Sequence, residues 1–224
     1  MRKAIFIIIA VILFSAVSAF AETDLSSLSL DELYEMRLAI NNQISQKILD
    51  SYVAPEEKTI ADLFPDEWLA KQIRDKLGMF STKDVVTQDK LDTITSVRIN
   101  GQTTEHIQVT SLEGIQYLRN LQRLEVWNQE NITEIPEWIG DLVQLTELSI
   151  RICPVTVLPD SLCNLTNLKS LTLSDTEISS LPADIGNLSK LKELNISYTK
   201  ITELPASIYS LELDTFNRSG LDLD

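Results

Sequence analysis

The stretch Leu165-Thr166-Asn167-Leu168-Lys169-Ser170-Leu171-Thr172-Leu173-Ser174-Asp175-Thr176-Glu177-Ile178-Ser179-Ser180-Leu181-Pro182-Ala183-Asp184-Ile185-Gly186-Asn187 decides the architecture, because Leu188 begins the same phrase again. Its front half reads LxxLxxLxL, and Leu171 and Leu173 alternate as the residues of a short strand do. Pro182 cannot donate to a strand ladder, so by that point the strand has ended and the chain is turning back. Ile185 re-enters the core three places on, and Gly186 is expected to allow a tight bend. A single coil of this kind cannot bury its own apolar edge, so the pattern requires stacked copies, a solenoid. Such an array offers a long curved surface rather than a reaction pocket.

Neighbouring segments repeat the phrase with a period of 23 residues, 24 between the first two copies. Leu118, Leu121, Leu124 and Val126 match Leu142, Leu145, Leu148 and Ile150, and Leu188, Leu191, Leu194 and Ile196 follow. The back halves align as Ile132-x-x-Ile135-Pro136, Val155-x-x-Leu158-Pro159 and Ile201-x-x-Leu204-Pro205, with Ile139, Leu162 and Ile208 returning to the core. These residues resemble the leucine-rich repeat family, in the variant whose back half reads Leu-Pro-x-x-Ile-Gly-Asn. The fold the resemblance implies is α/β: a curved right-handed coil with a parallel, concave β-sheet and an α-helical N-terminal cap.

Upstream lies a degenerate copy in which Ile94, Val97 and Ile99 precede a longer return through Ile107, Val109, Leu112 and Ile115. Before it, Pro65-Asp66-Glu67-Trp68-Leu69 opens a helix with Ile73 and Leu77 on the Leu69 face, and Gly78 stops it. Val86 to Leu91 reads as a second short helix with Thr87 as its N-cap. Together these supply the terminal unit that a stack of repeats needs. Phe64-Pro65-Asp66, the helix, Leu77-Gly78, the Val86–Leu91 phrase and Ser111-Leu112-Glu113-Gly114-Ile115-Gln116-Tyr117-Leu118 are similar to the cap and first repeat of internalin-like secreted proteins of Gram-positive bacteria. Internalins usually continue with shorter repeats, an immunoglobulin-like domain and a cell-wall anchor. This chain switches to the Leu-Pro-x-x-Ile-Gly form and ends at Asp224, so a wall-anchored adhesin is not expected.

The N-terminus carries an export pattern. Arg2 and Lys3 precede an apolar run from Ala4 to Val17, and Ala19-Phe20-Ala21 is a small-x-small cleavage site. The run is short for a bilayer span, and no lipobox cysteine follows it. Removing residues 1–21, with two basic and no acidic residues, shifts the net charge from −14 to −16. So acidic a chain repels nucleic acid and anionic membrane at long range, and neither is an expected partner. The organisation expected is therefore a signal peptide (1–21), an amphipathic helix with linker (22–62), a helical cap (63–93) and the repeat array (94–224). The array divides into a degenerate first repeat (94–117), regular repeats (118–210) and a C-terminal partial repeat (211–224). In the second segment Ser29-x-x-Glu32 forms a capping box, and Leu30, Leu33, Ile40, Ile44 and Ile48 fall near one face of a helix over residues 29–49. That helix either docks on the cap or pairs with another chain.

Catalytic and metal-binding patterns are absent from the sequence: His106 stands alone in a loop, and no Ser/His/Asp set, metal spacing or phosphate loop stands out. No enzyme activity, cofactor or metal is expected. Cys153 and Cys163 share one repeat, Cys153 with Thr176 and Thr199 as counterparts and Cys163 in the glycine slot, placed too far apart to bridge. Five Asn-x-Ser/Thr sequons, at Asn131, Asn164, Asn187, Asn195 and Asn217, carry little meaning in a bacterial export context.

The residues between framework leucines should stand on the concave sheet face in columns. One column reads Asn100, Trp127, Arg151, Ser174, Ser197; its neighbours read Arg98, Glu125, Ser149, Thr172, Asn195 and Gly101, Asn128, Ile152, Asp175, Tyr198. Arg98, Arg123, Glu125, Trp127, Arg151, Ile152, Asp175 and Tyr198 are the candidate binding residues, because grouped aromatic and guanidinium side chains dominate interface energies. Trp127 has an alternative: the first copy spaces Leu118 to Leu142 by 24 residues, and the extra residue could turn the ring onto the sheet edge as packing. The function expected is recognition of another protein, of unknown identity, through the concave face; the alternative is an assembly role tethered through the 29–49 helix.

Overall fold

The computed structural model describes Ser29, residues 58–101 and residues 108–222. The signal segment, the 29–49 helix beyond Ser29, and His106 lie outside the described residues.

Among the described residues, three helices lead into a six-stranded sheet. They are α1 (Ile60–Leu63), α2 (Glu67–Lys76) and α3 (Gln88–Leu91). The strands are β1 (Ser96–Asn100), β2 (Arg123–Trp127), β3 (Glu147–Arg151), β4 (Ser170–Thr172), β5 (Glu193–Asn195) and β6 (Thr215–Asn217). They pair in parallel and in chain order, β1 to β6, so each coil adds one strand beside the last. The fold is a leucine-rich repeat solenoid with a helical N-terminal cap. Leu124, Leu148, Leu171 and Leu194 lie in direct register, and Leu145 and Leu168 are as fully buried as they are.

The prolines mark the start of the return on the far side of each coil. Pro136, Pro159 and Pro205 sit at the N-cap of 3-10 turns Glu137–Asp141, Asp160–Asn164 and Ala206–Ser210, where a fixed φ helps and a missing N–H does no harm. Ile139, Leu162, Ile185 and Ile208 are buried as the return requires.

The glycines do a different job from the one expected of them. Neither Gly140 nor Gly186 has a positive φ. A Cβ on Gly140 would lie 2.2 Å from the Ser161 carbonyl oxygen, and one on Gly186 2.4 Å from that of Ser207. Close approach of the next coil, not a bend, excludes a side chain there.

The cap closes the open N-terminal side of β1. Thr59 and Asp62 form a reciprocal capping box on α1, with Thr59 N donating to Asp62 Oδ2 at 3.0 Å and Asp62 N to Thr59 Oγ1 at 3.2 Å. Ile60 is fully buried, so the packed layer begins before residue 63. Asp66 does two things at once. Its Oδ1 accepts from Trp68 N and Leu69 N at the start of α2, and its Oδ2 accepts from Thr110 N at 2.8 Å and Thr110 Oγ1 at 2.9 Å. One buried carboxylate thereby ties the cap to the return of the first coil. Gly78, at φ +62, ends α2 as the sequence requires. Thr87 stands at the N-cap of α3, but its side chain makes no capping bond. Gln88 anchors that turn instead, donating to Tyr117 O at 2.8 Å.

Candidate protein-binding face

One of the three expected columns is present as written, and a second in its first three members. Strand register aligns Arg98, Glu125, Ser149, Thr172 and Asn195, and it aligns Asn100, Trp127 and Arg151. The second column then changes character: Ser174 and Ser197 are buried, not displayed, because β4 and β5 end at Thr172 and Asn195 and the chain has already turned inward. Ser197 N and Oγ both donate to Asn195 Oδ1, which fixes that turn.

The third column is a row of left-handed turns rather than sheet face. Asn128, Ile152, Asp175 and Tyr198 have φ of 54°, 52°, 55° and 55°. Their N–H groups continue the ladder past the strand ends, Asn128 N donating to Arg151 O and Asp175 N to Ser197 O at 3.0 Å each. Asn and Asp tolerate this conformation; a β-branched isoleucine does not adopt it readily. Ile152 is nevertheless 47% exposed and Tyr198 62% exposed, so neither side chain gains compensating burial.

Trp127 sits within the sheet, in register between Asn100 and Arg151. The extra residue does not displace it. Trp127 to Arg151 spans 24 positions and Ile132 to Val155 spans 23, so the insertion falls after the strand, at Glu130–Asn131. Its ring is half-buried and lies under the Arg151 guanidinium, 5.6 Å from the centroid. Arg98 and Glu125 are engaged with each other in a two-pronged pair, Nε to Oε2 at 2.7 Å and Nη2 to Oε1 at 3.0 Å. Arg123 is exposed at the entry end of β2 and shares a column with Ser96, Glu147, Ser170, Glu193 and Thr215. Glu147 and Glu193 are face residues that the column reading missed; their position immediately before a framework leucine was the available signal.

Two family profiles match the chain. One, described as leucine-rich repeat region, covers residues 156–213; the other, described as the N-terminal part of bacterial adhesion/invasion proteins, covers residues 49–92. Internalin H of Listeria monocytogenes is 42% identical over 64 residues, 29% of this chain and 11% of that protein. The crystal structure of internalin C2 from Listeria monocytogenes matches with a TM-score of 0.50 and 25% identity, covering 68% of this chain and 79% of that one. The chain is an internalin-like leucine-rich repeat protein. An internalin from the same species, InlF, matches with a TM-score of 0.48 and 25% identity over 67% of this chain and 52% of that one. The chain thus spans only about a tenth of the length of Internalin H, 11%, and about half that of InlF, 52%.

Internalin-like repeat proteins are typically binding modules for adhesion or recognition, and generally non-catalytic. Among the described residues no group of three or more His, Cys, Asp or Glu side chains is arranged to hold a metal. No helix among them is long and apolar enough to cross a membrane. In the corner behind the face, Gln129, Cys153, Thr176 and Thr199 form one buried column. Thr176 and Thr199 each donate to a carbonyl three residues back, at 2.9 Å, and Cys153 Sγ lies 3.2 Å from Arg151 O. Gln129, the counterpart the sequence reading passed over, accepts from Val109 N at 2.6 Å and is fully buried.

Both cysteines are free and buried. Burial raises the Cys153 thiol against the backbone bonds that favour its anion, and burial with Asp184 and Asp160 nearby pushes Cys163 up to about 12. Both are held as unreactive thiols at neutral pH. The native chain is therefore expected to resist a maleimide at pH 7.5 while the urea-unfolded chain takes up two equivalents; rapid labelling of the native protein would contradict this.

Proposed function

We infer that the protein is an exported bacterial recognition protein that binds another protein through its concave face without catalysis. The observation that carries this reading is the Trp127–Arg151 stack on an open sheet face, bordered by Ile152 in an unfavourable backbone conformation. A left-handed φ at a β-branched residue costs on the order of 1–3 kcal/mol, and positions that retain such strain concentrate where contacts are made. The signal-like N-terminus, Arg2 to Ala21, supports export, with cleavage between Ala21 and Glu22. The residues proposed to meet the partner are Trp127, Arg151, Ile152 and Arg123, with Tyr198 and Asp175 further along the arc. Arg98 and Glu125 neutralise each other and act as a rigid border.

Trp127→Ala tests the reading. In a pull-down from target-cell surfaces with the chain beginning at Glu22, the variant is expected to lose its captured protein while its melting temperature moves little, since the ring lies on the open face. Equal loss of capture and of stability would instead make Trp127 a packing residue.

A further inference from the structure

The two ends of the sheet are finished differently. β1 is covered by the cap, whose Ile60, Phe64, Leu69 and Leu91 are all buried. At the other end, β6 pairs with β5 on one side and with no strand on its outer side among the described residues. Phe216 takes the framework slot of Leu194 but is 36% exposed, whereas Leu194 is 1% exposed. Arg218 lies over the uncovered part of its ring, 5.8 Å from the centroid. An edge strand is ordinarily blunted by shortness, charge, proline or a bulge. β6, Thr-Phe-Asn, is short, at three residues, but carries no proline, bulge or charge of its own.

A further coil stacked in the same manner is disfavoured. The slot that must be glycine or small where the next coil approaches, occupied by Gly140, Cys163 and Gly186 in successive copies, holds Tyr209 in the last. Its side chain is 82% exposed.

The main chain shows what fits instead. Asn217 O and Ser219 O accept from β5 and its extension, and Thr215 N donates to Lys192 O. By strand alternation the N–H and C=O of Phe216 and the N–H of Arg218 point outward. We propose that β6 pairs antiparallel with β6 of a second copy of this chain, about a twofold axis through Phe216. In that register Phe216 exchanges both main-chain bonds with Phe216 of the second copy, and each Arg218 N–H donates to the Asp214 carbonyl opposite. Thr215 faces Asn217, and Asp214 faces Arg218 twice over, so the edge is complementary in charge to itself. The dimer continues one sheet into the next and places two concave faces on one body, giving bivalent capture of a multivalent surface.

Charge exchange tests this on the full chain. Sedimentation velocity is expected to show a concentration-dependent dimer. Arg218→Asp and Asp214→Arg should each weaken it by about tenfold or more by setting like charges opposite, and the double exchange should restore it. Circular dichroism monitors the fold of each variant. Thr215→Cys with Asn217→Cys should form intermolecular disulfides on mild oxidation. A wild-type chain that stays monomeric at every concentration, or single variants that dimerise as well as the wild type, would overturn the proposal. The outcome is independent of the Trp127 surface, which lies on β2.

Discussion

Leu171→Ala is expected to lower the unfolding free energy by about 2–5 kcal/mol, a large share of what holds a domain of this size together. Leu171 is fully buried and lies in register between Leu148 and Leu194, so the methyl groups removed are shared by three coils. Neighbouring turns contact only one another, and the cavity therefore weakens the junction between front and rear portions of the array rather than the whole evenly. Urea unfolding should broaden or split into two steps. Hydrogen exchange should show lost protection from β4 to β6 while the cap and β1 to β3 stay protected. Ser170→Ala, on the open face one residue away, is the control and should be near neutral. A uniform loss across the chain would mean that the array folds as one indivisible unit.

Asp141→Asn is expected to stabilise the protein, increasingly as pH rises. Asp141 closes the 3-10 turn of the second coil, in the slot where the next two repeats carry Asn164 and Asn187. Burial, with Glu137 beside it, pushes its carboxyl from 3.8 up to about 7. The folded state therefore resists ionising while the unfolded chain ionises near its ordinary value. Below about pH 4 both states hold the proton and the aspartate costs nothing. Stability is lost as pH climbs from there to about 7, and the penalty is constant above that. At about 1.4 kcal/mol per pH unit the nominal cost is ~4 kcal/mol, and residual solvent contact roughly halves it, to about 2. Melting curves at pH 4.5 and pH 8 should show the variant gaining little at the lower pH and several degrees at the higher. An equal gain at both would trace the effect to hydrogen bonding rather than charge.

Much of the architecture was legible because its cause is periodic. A framework leucine at a fixed interval states which residues share a layer, and the register of Leu124, Leu148, Leu171 and Leu194 follows directly. The partial last repeat was legible in the same way, and within it Phe216 pairs with Leu194 across 22 positions. The columns holding Arg98, Glu125, Trp127 and Arg151 could be written down for the same reason. The buried turns at Ser174 and Ser197 could not, because strand length within a coil is set by where the chain bends.

By itself the sequence determined the stacked coils, the helical cap and the set of side chains offered on the sheet. Tertiary structure alone decided which of those side chains remain available. Arg98 and Glu125 are 27 positions apart and neutralise each other only because adjacent strands bring them together. The need for glycine at 140 and 186 comes from a carbonyl one coil away, and the burial of Asp66 from a return loop 44 positions on. Periodicity fixes what each coil presents to its own interior. Contacts between coils depend on the distance of closest approach, which no single turn of the pattern encodes.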